Sequence, residues 1–195
     1  MLLNQGSVEE PEPNPEVTEA VKSAKSYTLK KGEKDLILRG NRKINGTGNH
    51  LDNQIAGNSK ANQLEGFAGD DILTGGKGKD SFEFGGAATF KKADLGVDII
   101  TDFQSSQKDT IVLSKTTFDK LESSIGKGFS VIAEFDTVNA DKKAETSEAF
   151  IVYNQKTGDL FYNANGSEAG FGSGGLFATL EGAPTLKESD FSIVK

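Results

Sequence analysis

The sequence predicts an all-β protein whose first half is a right-handed parallel β-roll and whose second half is a β-rich cap. Three observations support this prediction. A nonapeptide recurs four times without a gap over residues 48–83, each copy carries one apolar residue at the same place, and short apolar strand patterns continue through the rest of the 195-residue chain. A fixed period this short is typical of a solenoid, in which each repeat buries one face against its neighbours.

The four copies share three fixed positions, which we call slots. Slot one is always glycine, slot six is Asn53, Asn62, Asp71 and Asp80, and slot eight is Ile55, Leu64, Leu73 and Phe82. The first six residues suit a tight turn, because glycine tolerates positive φ and a close approach of neighbouring backbones. The last three residues suit a short strand whose middle side chain points into the core.

Stacked turns of this kind create gaps that are lined by oxygen atoms. Two nonapeptides complete one coil, so we expect turn 48–53 to stack on turn 66–71, and turn 57–62 on turn 75–80. Each gap then receives backbone carbonyls and slot-six side chains, and calcium is the leading cation for such a set of ligands. The candidate ligands in the repeats are Asn53, Asn62, Gly66, Ala68, Asp70, Asp71, Gly75, Gly76, Gly78 and Asp80.

The repeats resemble the Gly-Gly-x-Gly-x-Asp-x-apolar-x pattern of RTX (repeats-in-toxin) proteins. Residues 75–83 match every fixed slot, and residues 66–74 depart only at slot two, where Phe67 replaces glycine. The two earlier copies lack the other glycines and carry Asn in slot six, so a metal-free solenoid is the alternative for them. The resemblance implies a haemolysin-type calcium-binding module in which metal binding and folding are one equilibrium.

The step of two nonapeptides also predicts where the roll begins and how it continues. Ile37 lies one such step before Ile55, so we expect the roll to begin near Leu36. Asp98 lies one such step after Asp80, and this predicts that turn 93–98 stacks on turn 75–80 with the two carboxylates facing one gap. Residues 85–87 would form the turn on the opposite edge.

The second half resembles the C-terminal region of serralysin-type proteases, and the matching segments are 100–103, 109–114, 158–162 and 188–194. In that family, Asp102 and Asp109 match carboxylates that help to hold a further calcium ion. The ending Asp190-Phe191-Ser192-Ile193-Val194 fits the acidic and then apolar C-terminus by which a type I secretion machine recognises its substrates. Asn163-Ala164-Asn165-Gly166 stands where relatives often carry Asp-x-Asp-Gly, and the replacement of both carboxylates by Asn argues against a metal site there.

The predicted organisation has three parts: a flexible acidic and Pro-rich tail over 1–26, the roll over 27–113 and the cap over 114–195. Within the cap, strands are predicted at 130–133, 150–153, 159–162 and 176–180, with a hairpin turn at 156–159.

Composition argues against several functional classes. The net charge of −7 disfavours nucleic acid and anionic lipid as partners, and no apolar stretch is long enough to span a membrane. The chain has no Cys and only one His, His50, so it offers no thiolate metal site and no zinc-protease motif, and we expect no enzymatic activity. Met1-Leu2-Leu3 is not followed by the apolar core of a signal peptide, so we expect another route of export.

The sequence therefore predicts a bacterial protein that leaves the cell by type I secretion, binds Ca²⁺ and acts outside the cell or at its surface. One alternative is an adhesion or matrix protein that uses the roll as a scaffold and binds an extracellular glycan or protein through residues 114–190. Another is the non-catalytic secretion tail of a larger exported enzyme.

Overall fold

The computed structural model describes residues 19–86 and 88–195, whose regular secondary structure consists mainly of β-strands arranged in two sheets. The nine-stranded sheet contains, in spatial order, β1 (Val21–Ser23), β3 (Asp35–Leu38), β5 (Gln54–Ala56), β7 (Ile72–Thr74), β9 (Asp98–Ile100), β15 (Gly175–Leu180), β14 (Asp159–Tyr162), β13 (Ile151–Asn154) and β12 (Phe135–Val138). The seven-stranded sheet contains β11 (Gly126–Lys127), β16 (Phe191–Val194), β10 (Thr110–Ser114), β8 (Ser81–Phe84), β6 (Gln63–Glu65), β4 (Gly46–Thr47) and β2 (Tyr27–Thr28).

Helical structure in this part of the chain is short. Its two α-helices are α1 (Lys92–Leu95) and α2 (Asp141–Ala144), and its 3-10 helices are Ser105–Gln107, Ile132–Glu134 and Glu188–Asp190.

The nonapeptide strands alternate between the two sheets. Strand β5 pairs in parallel with β7, and β6 pairs in parallel with β8, each pair at the predicted step of two nonapeptides. The slot-eight side chains Ile55, Leu64, Leu73 and Phe82 all point into the space between the sheets and are 0% exposed. Burying an apolar side chain of this size stabilises the fold by about 1.5–3 kcal/mol. The predicted all-β parallel β-roll is confirmed.

The first coil begins before residue 27. Val21–Ser23 forms strand β1 and pairs in parallel with β3, so the predicted tail over 1–26 is wrong for this segment. The expected start of the roll near Leu36 is wrong for the same reason. Residues 1–18 lie outside the described residues.

The register of the first coil also differs from the prediction by a single position. Leu36, rather than Ile37, pairs with Ile55, which makes this step slightly longer than two nonapeptides. Because side chains alternate between the faces of a strand, this shift turns Leu36 into the core and leaves Ile37 half-buried on the other face.

The largest departure from the two-nonapeptide step follows β8. Strand β9 pairs with β7 at a step of three nonapeptides, so one extra nonapeptide length is accommodated in the connection 85–97. The prediction that turn 93–98 stacks on turn 75–80 is therefore wrong, because turn 93–98 lies on turn 66–71. The connection contains α1 and buries Phe90 and Leu95, and this burial compensates for its greater length.

The C-terminal region continues both sheets of the roll. Strand β15 pairs in parallel with β9, and β16 pairs in parallel with β10. Strands β13 and β14 form the antiparallel hairpin that the sequence predicted around residues 156–159. The strand predicted at 130–133 is wrong, because the Glu134 carboxylate accepts the backbone N–H of Ser123 at 3.1 Å and holds the segment 132–134 as a 3-10 helix against that loop.

Candidate metal sites in the stacked turns

Asn53 and Asp71 of slot six form a column with Asp98 along the edge of the roll that contains turns 48–53 and 66–71. The backbone N–H of Asn53 donates to Asp71 Oδ1 at 2.7 Å, and the backbone N–H of Asp71 donates to Asp98 Oδ1 at 3.2 Å. All three residues are buried. The structure therefore pairs Asp98 with Asp71 across one gap, whereas the two-nonapeptide step had paired it with Asp80.

A second column follows the opposite edge of the roll. The backbone N–H of Asn62 donates to Asp80 Oδ1 at 2.7 Å, and the backbone N–H of Asp80 donates to Asp109 Oδ1 at 2.9 Å. The turn above 75–80 is thus formed by residues 102–109 rather than 93–98. Each column contains one Asn followed by two Asp, so each edge has one gap with a single carboxylate from its column and one gap with two.

Asp102 joins the second column from above. Its carboxylate accepts the backbone N–H of Gly75 at 2.8 Å and that of Gly76 at 2.7 Å. Gln107 extends this contact, because its Oε1 accepts the backbone N–H of Gly78 at 3.0 Å. Sequence reasoning missed Gln107, since it lies far from its partner along the chain and outside the nonapeptide period.

Oxygen atoms converge in the gap between turns 48–53 and 66–71. A Cβ added to Gly48 would clash with the carbonyl oxygen of Gly66 and with Asn53 Oδ1. On the opposite edge, a Cβ on Gly57 would clash with the carbonyl oxygen of Gly75. The slot-one glycines are therefore required by space, and their absent side chains leave room for oxygen-lined gaps.

The outer residues of the turns have different roles. Asp70 is exposed, and its Oδ1 accepts the backbone N–H of Val97 at 2.8 Å, which ties turn 66–71 to turn 93–98. The backbone N–H of Ala68 donates to the carbonyl of Asn49 at 3.3 Å. The structure therefore uses the Asp70 carboxylate and the Ala68 N–H as links between stacked turns.

Two buried carboxylate oxygens in the turns lack hydrogen-bond donors within the described part of the chain, and they show whether a cation would suit these turns. Asp71 Oδ2 and Asp80 Oδ2 are inaccessible to solvent and accept no hydrogen bond from the described residues. A buried carboxylate oxygen without a donor is costly unless a proton or a cation meets it. Both oxygens lie beside a slot-one glycine, since a Cβ on Gly66 would clash with Asp71 Oδ2 and one on Gly75 would stand 2.8 Å from Asp80 Oδ2. The donor set of the turns therefore fits a hard cation.

Burial makes these carboxylates resist ionisation in the metal-free fold. Desolvation raises the pKa of Asp71 to about 7 and the pKa of Asp80 to about 6. Desolvation, together with the facing charge of Asp71, raises the pKa of Asp98 to about 8. The pKa of Asp109 is also raised, first by desolvation and then by the charge of Asp102, against two backbone hydrogen bonds that lower it.

These raised pKa values predict that acid stabilises the metal-free fold. Asp71 and Asp98 bind protons in the folded state at a pH where the unfolded chain, with Asp near pKa 3.8, has lost them. Their contribution to the free energy of unfolding is therefore fully present below about pH 4, and it is lost as the pH rises through about 7–8. In calcium-stripped buffer, circular dichroism should show more β structure at about pH 5 than at about pH 8.

The control for this pH experiment is the double variant Asp71→Asn and Asp98→Asn, which carries neutral side chains at both positions at every pH. Its β signal in calcium-stripped buffer should change less between the two pH values than that of the unsubstituted protein. A metal-free β signal that is as strong at about pH 8 as at about pH 5 would contradict the assignment.

Within residues 19–86 and 88–195, no group of three or more His, Cys, Asp or Glu side chains is arranged to hold a metal ion. The oxygen donors that the turns do supply are slot-six carboxylates or amides and backbone carbonyls. Calcium accepts such mixed oxygen ligands in flexible geometry.

Comparison with family models matches residues 47–82 to the RTX calcium-binding nonapeptide repeat, in four copies. The matched segment includes Asn53, Asn62, Asp71 and Asp80, and it ends before Asp98. Asp98 and Asp109, the further carboxylates of the two columns, lie outside the matched segment, and the structure pairs them with Asp71 and Asp80. A comparison with curated proteins found no match.

Proposed function

We propose, from the premise that residues 47–82 are four RTX calcium-binding nonapeptide repeats, that calcium completes the fold of this protein after its export from a bacterial cell. The repeats make this segment a calcium-binding module. The observation that supports a role for the metal in folding is the pair of buried oxygens, Asp71 Oδ2 and Asp80 Oδ2, that lack a donor among the described residues. Extracellular oxygen-ligand sites of this kind have dissociation constants of roughly 10⁻⁴ to 10⁻³ M.

The charge distribution supports a coupling of folding to calcium. Asp71 and Asp98 face each other in one gap, and Asp80 faces Asp109 in another, within a chain of net charge −7. Without a cation, folding must bring these carboxylates together away from water, which costs free energy. In the low calcium of the cytosol the chain would stay unfolded, and millimolar calcium outside would shift the equilibrium to the roll.

Export by a type I machine would require the C-terminal residues to be accessible. In the folded protein, Phe191 and Ile193 are fully buried in β16, which pairs with β10 on one side and with β11 on the other. An exporter could engage this segment only before the seven-stranded sheet forms. A chain that folds late, on meeting calcium, satisfies this requirement.

Deleting residues 188–195 should therefore keep the protein inside cells that carry a compatible type I exporter, as measured by its distribution between cells and medium. The matched control is the double variant Asp71→Ala and Asp80→Ala, which weakens calcium binding and leaves the C-terminus intact. It should be exported as well as the unsubstituted protein. Normal export of the truncated chain would contradict the proposed route.

We also propose that the protein binds rather than catalyses. Its single histidine, His50, is exposed in turn 48–53, and one oxygen of each of the Asp71 and Asp80 carboxylates accepts a backbone N–H. In the described part of the chain, no helix has both the length and the apolar character needed to cross a membrane.

A further inference from the structure

An apolar cavity lies where the connection between β8 and β9 folds over turn 66–71. It has a volume of about 200 Å³, and its walls include Phe67, Ala68, Gly85, Gly86 and Leu95. Leu95 is buried, whereas Phe67, Gly86 and Lys91 are exposed, so the cavity extends from the core of the connection to the solvent. The regular repeat could not predict this cavity, because the cavity exists only where the extra nonapeptide length is inserted.

Phe67 is unfavourable in two ways at its own position. It occupies slot two, where the repeat pattern has glycine, and its backbone has φ 77°, a left-handed conformation that disfavours a side chain. Its side chain is nevertheless 47% exposed, so it contributes little to the core of the roll. A strained residue that exposes a large apolar ring beside a cavity points to a role in binding rather than in folding.

The chemistry of the cavity walls defines the ligand class. The buried Thr117 hydroxyl group already accepts the backbone N–H of Gly86 at 2.9 Å and donates to the carbonyl of Ala88 at 3.0 Å. At the exposed edge of the cavity, Lys91 Nζ lies 3.8 Å from Asp94 Oδ2, so the two charges form an ion pair. A ligand therefore meets mainly apolar groups, beside a hydroxyl and two charges that already have partners.

We propose that this cavity binds a small uncharged aromatic molecule of one or two fused rings. The size is set by the volume, since an apolar cavity of about 150 Å³ holds one benzene ring. The Phe67 ring forms one wall and offers an edge or a face for aromatic packing. The ligand site is separate from the calcium gaps, although both depend on the stacking of turn 93–98 on turn 66–71.

Indole is a suitable probe, because the chain contains no Trp and the fluorescence of added indole reports binding with little protein background. In calcium-loaded protein, indole should bind saturably with a dissociation constant of about 0.1–1 mM. Phe67→Gly removes the ring and restores the residue that its backbone conformation favours, so the fold should be kept. Binding by this variant should be at least about tenfold weaker.

The matched control is Ile132→Ala, which removes another exposed apolar side chain, 72% exposed, from the C-terminal half of the chain. This variant should bind indole as the unsubstituted protein does. Absence of saturable binding, or equal binding by the Phe67→Gly variant, would overturn the proposal. A circular dichroism spectrum that is the same with and without calcium would contradict the proposed function instead, and the indole titration would still test the cavity.

Discussion

In calcium-stripped buffer at neutral pH, the circular dichroism spectrum of this protein should lack most of its β signal, and about 5–10 mM calcium should restore it. The reason is the cost of the empty gaps. Asp71, Asp80 and Asp98 are buried, their pKa values are raised by desolvation, and at neutral pH the fold must either protonate them or bury their charge. Calcium removes that cost in the folded state alone.

Magnesium at the same concentration is the control for general screening of charge. It demands near-ideal octahedral geometry and gives up its water reluctantly, so it should restore much less of the β signal. A spectrum that is unchanged between calcium-stripped buffer and saturating calcium would contradict a fold that depends on calcium.

Asp71→Ala should lower the apparent calcium affinity of the protein by at least about tenfold, because it removes a charged ligand that faces two gaps at once. Asp71 lies between Asn53 and Asp98 in its column, and its Oδ2 has no other partner among the described residues. Calcium titration followed by calorimetry measures the loss. The control is Asp94→Ala, which removes the same charge from an exposed surface position. This variant should change the calcium affinity by less than about twofold.

A double-mutant cycle tests the pairing of the columns directly. Asp98 shares a gap with Asp71, so the effects of Asp71→Ala and Asp98→Ala on calcium affinity should be strongly non-additive. Asp98 shares no gap with Asp80, so Asp80→Ala and Asp98→Ala should be close to additive. Strong non-additivity between Asp80→Ala and Asp98→Ala, with additivity between Asp71→Ala and Asp98→Ala, would contradict the structure. That result would favour an uninterrupted register of two nonapeptides per coil.

The nonapeptide period was sufficient to predict the central part of the fold. Glycine in slot one and an apolar residue in slot eight fix a turn and an inward side chain, so the stacking of turns 48–53 and 66–71 follows from residue type alone. The same logic placed Asn53 and Asp71 in one gap, as the structure shows. Local pattern and global fold agree here because each repeat contacts only its neighbours in the stack.

The prediction failed where the period breaks. Asp98 and Ile100 keep the spacing of a regular repeat after Glu83, yet β9 pairs with β7 at a step of three nonapeptides instead of two. The spacing could not distinguish a further coil from an insertion, because an inserted length of one nonapeptide preserves every slot. Buried Phe90 and Leu95 show that the inserted residues have their own packing.

Most strands of the C-terminal half could be predicted from the sequence, but their order in the sheets could not. Strand β15 pairs with β9 across a long stretch of intervening chain, and such distant pairing leaves no local periodicity in the sequence. At residues 130–133 the local sequence preference itself was misleading. These residues favour a strand, but the tertiary contact between Glu134 and the backbone of Ser123 imposes a 3-10 helix nearby.

Calorimetric titration of the purified protein with calcium tests the central claim most directly. The stacked turns predict saturable binding of more than one calcium ion per chain, half-complete at roughly 0.1–1 mM, with the heat of folding included in the signal. No heat of binding up to about 10 mM calcium would contradict the assignment of the two columns as calcium sites.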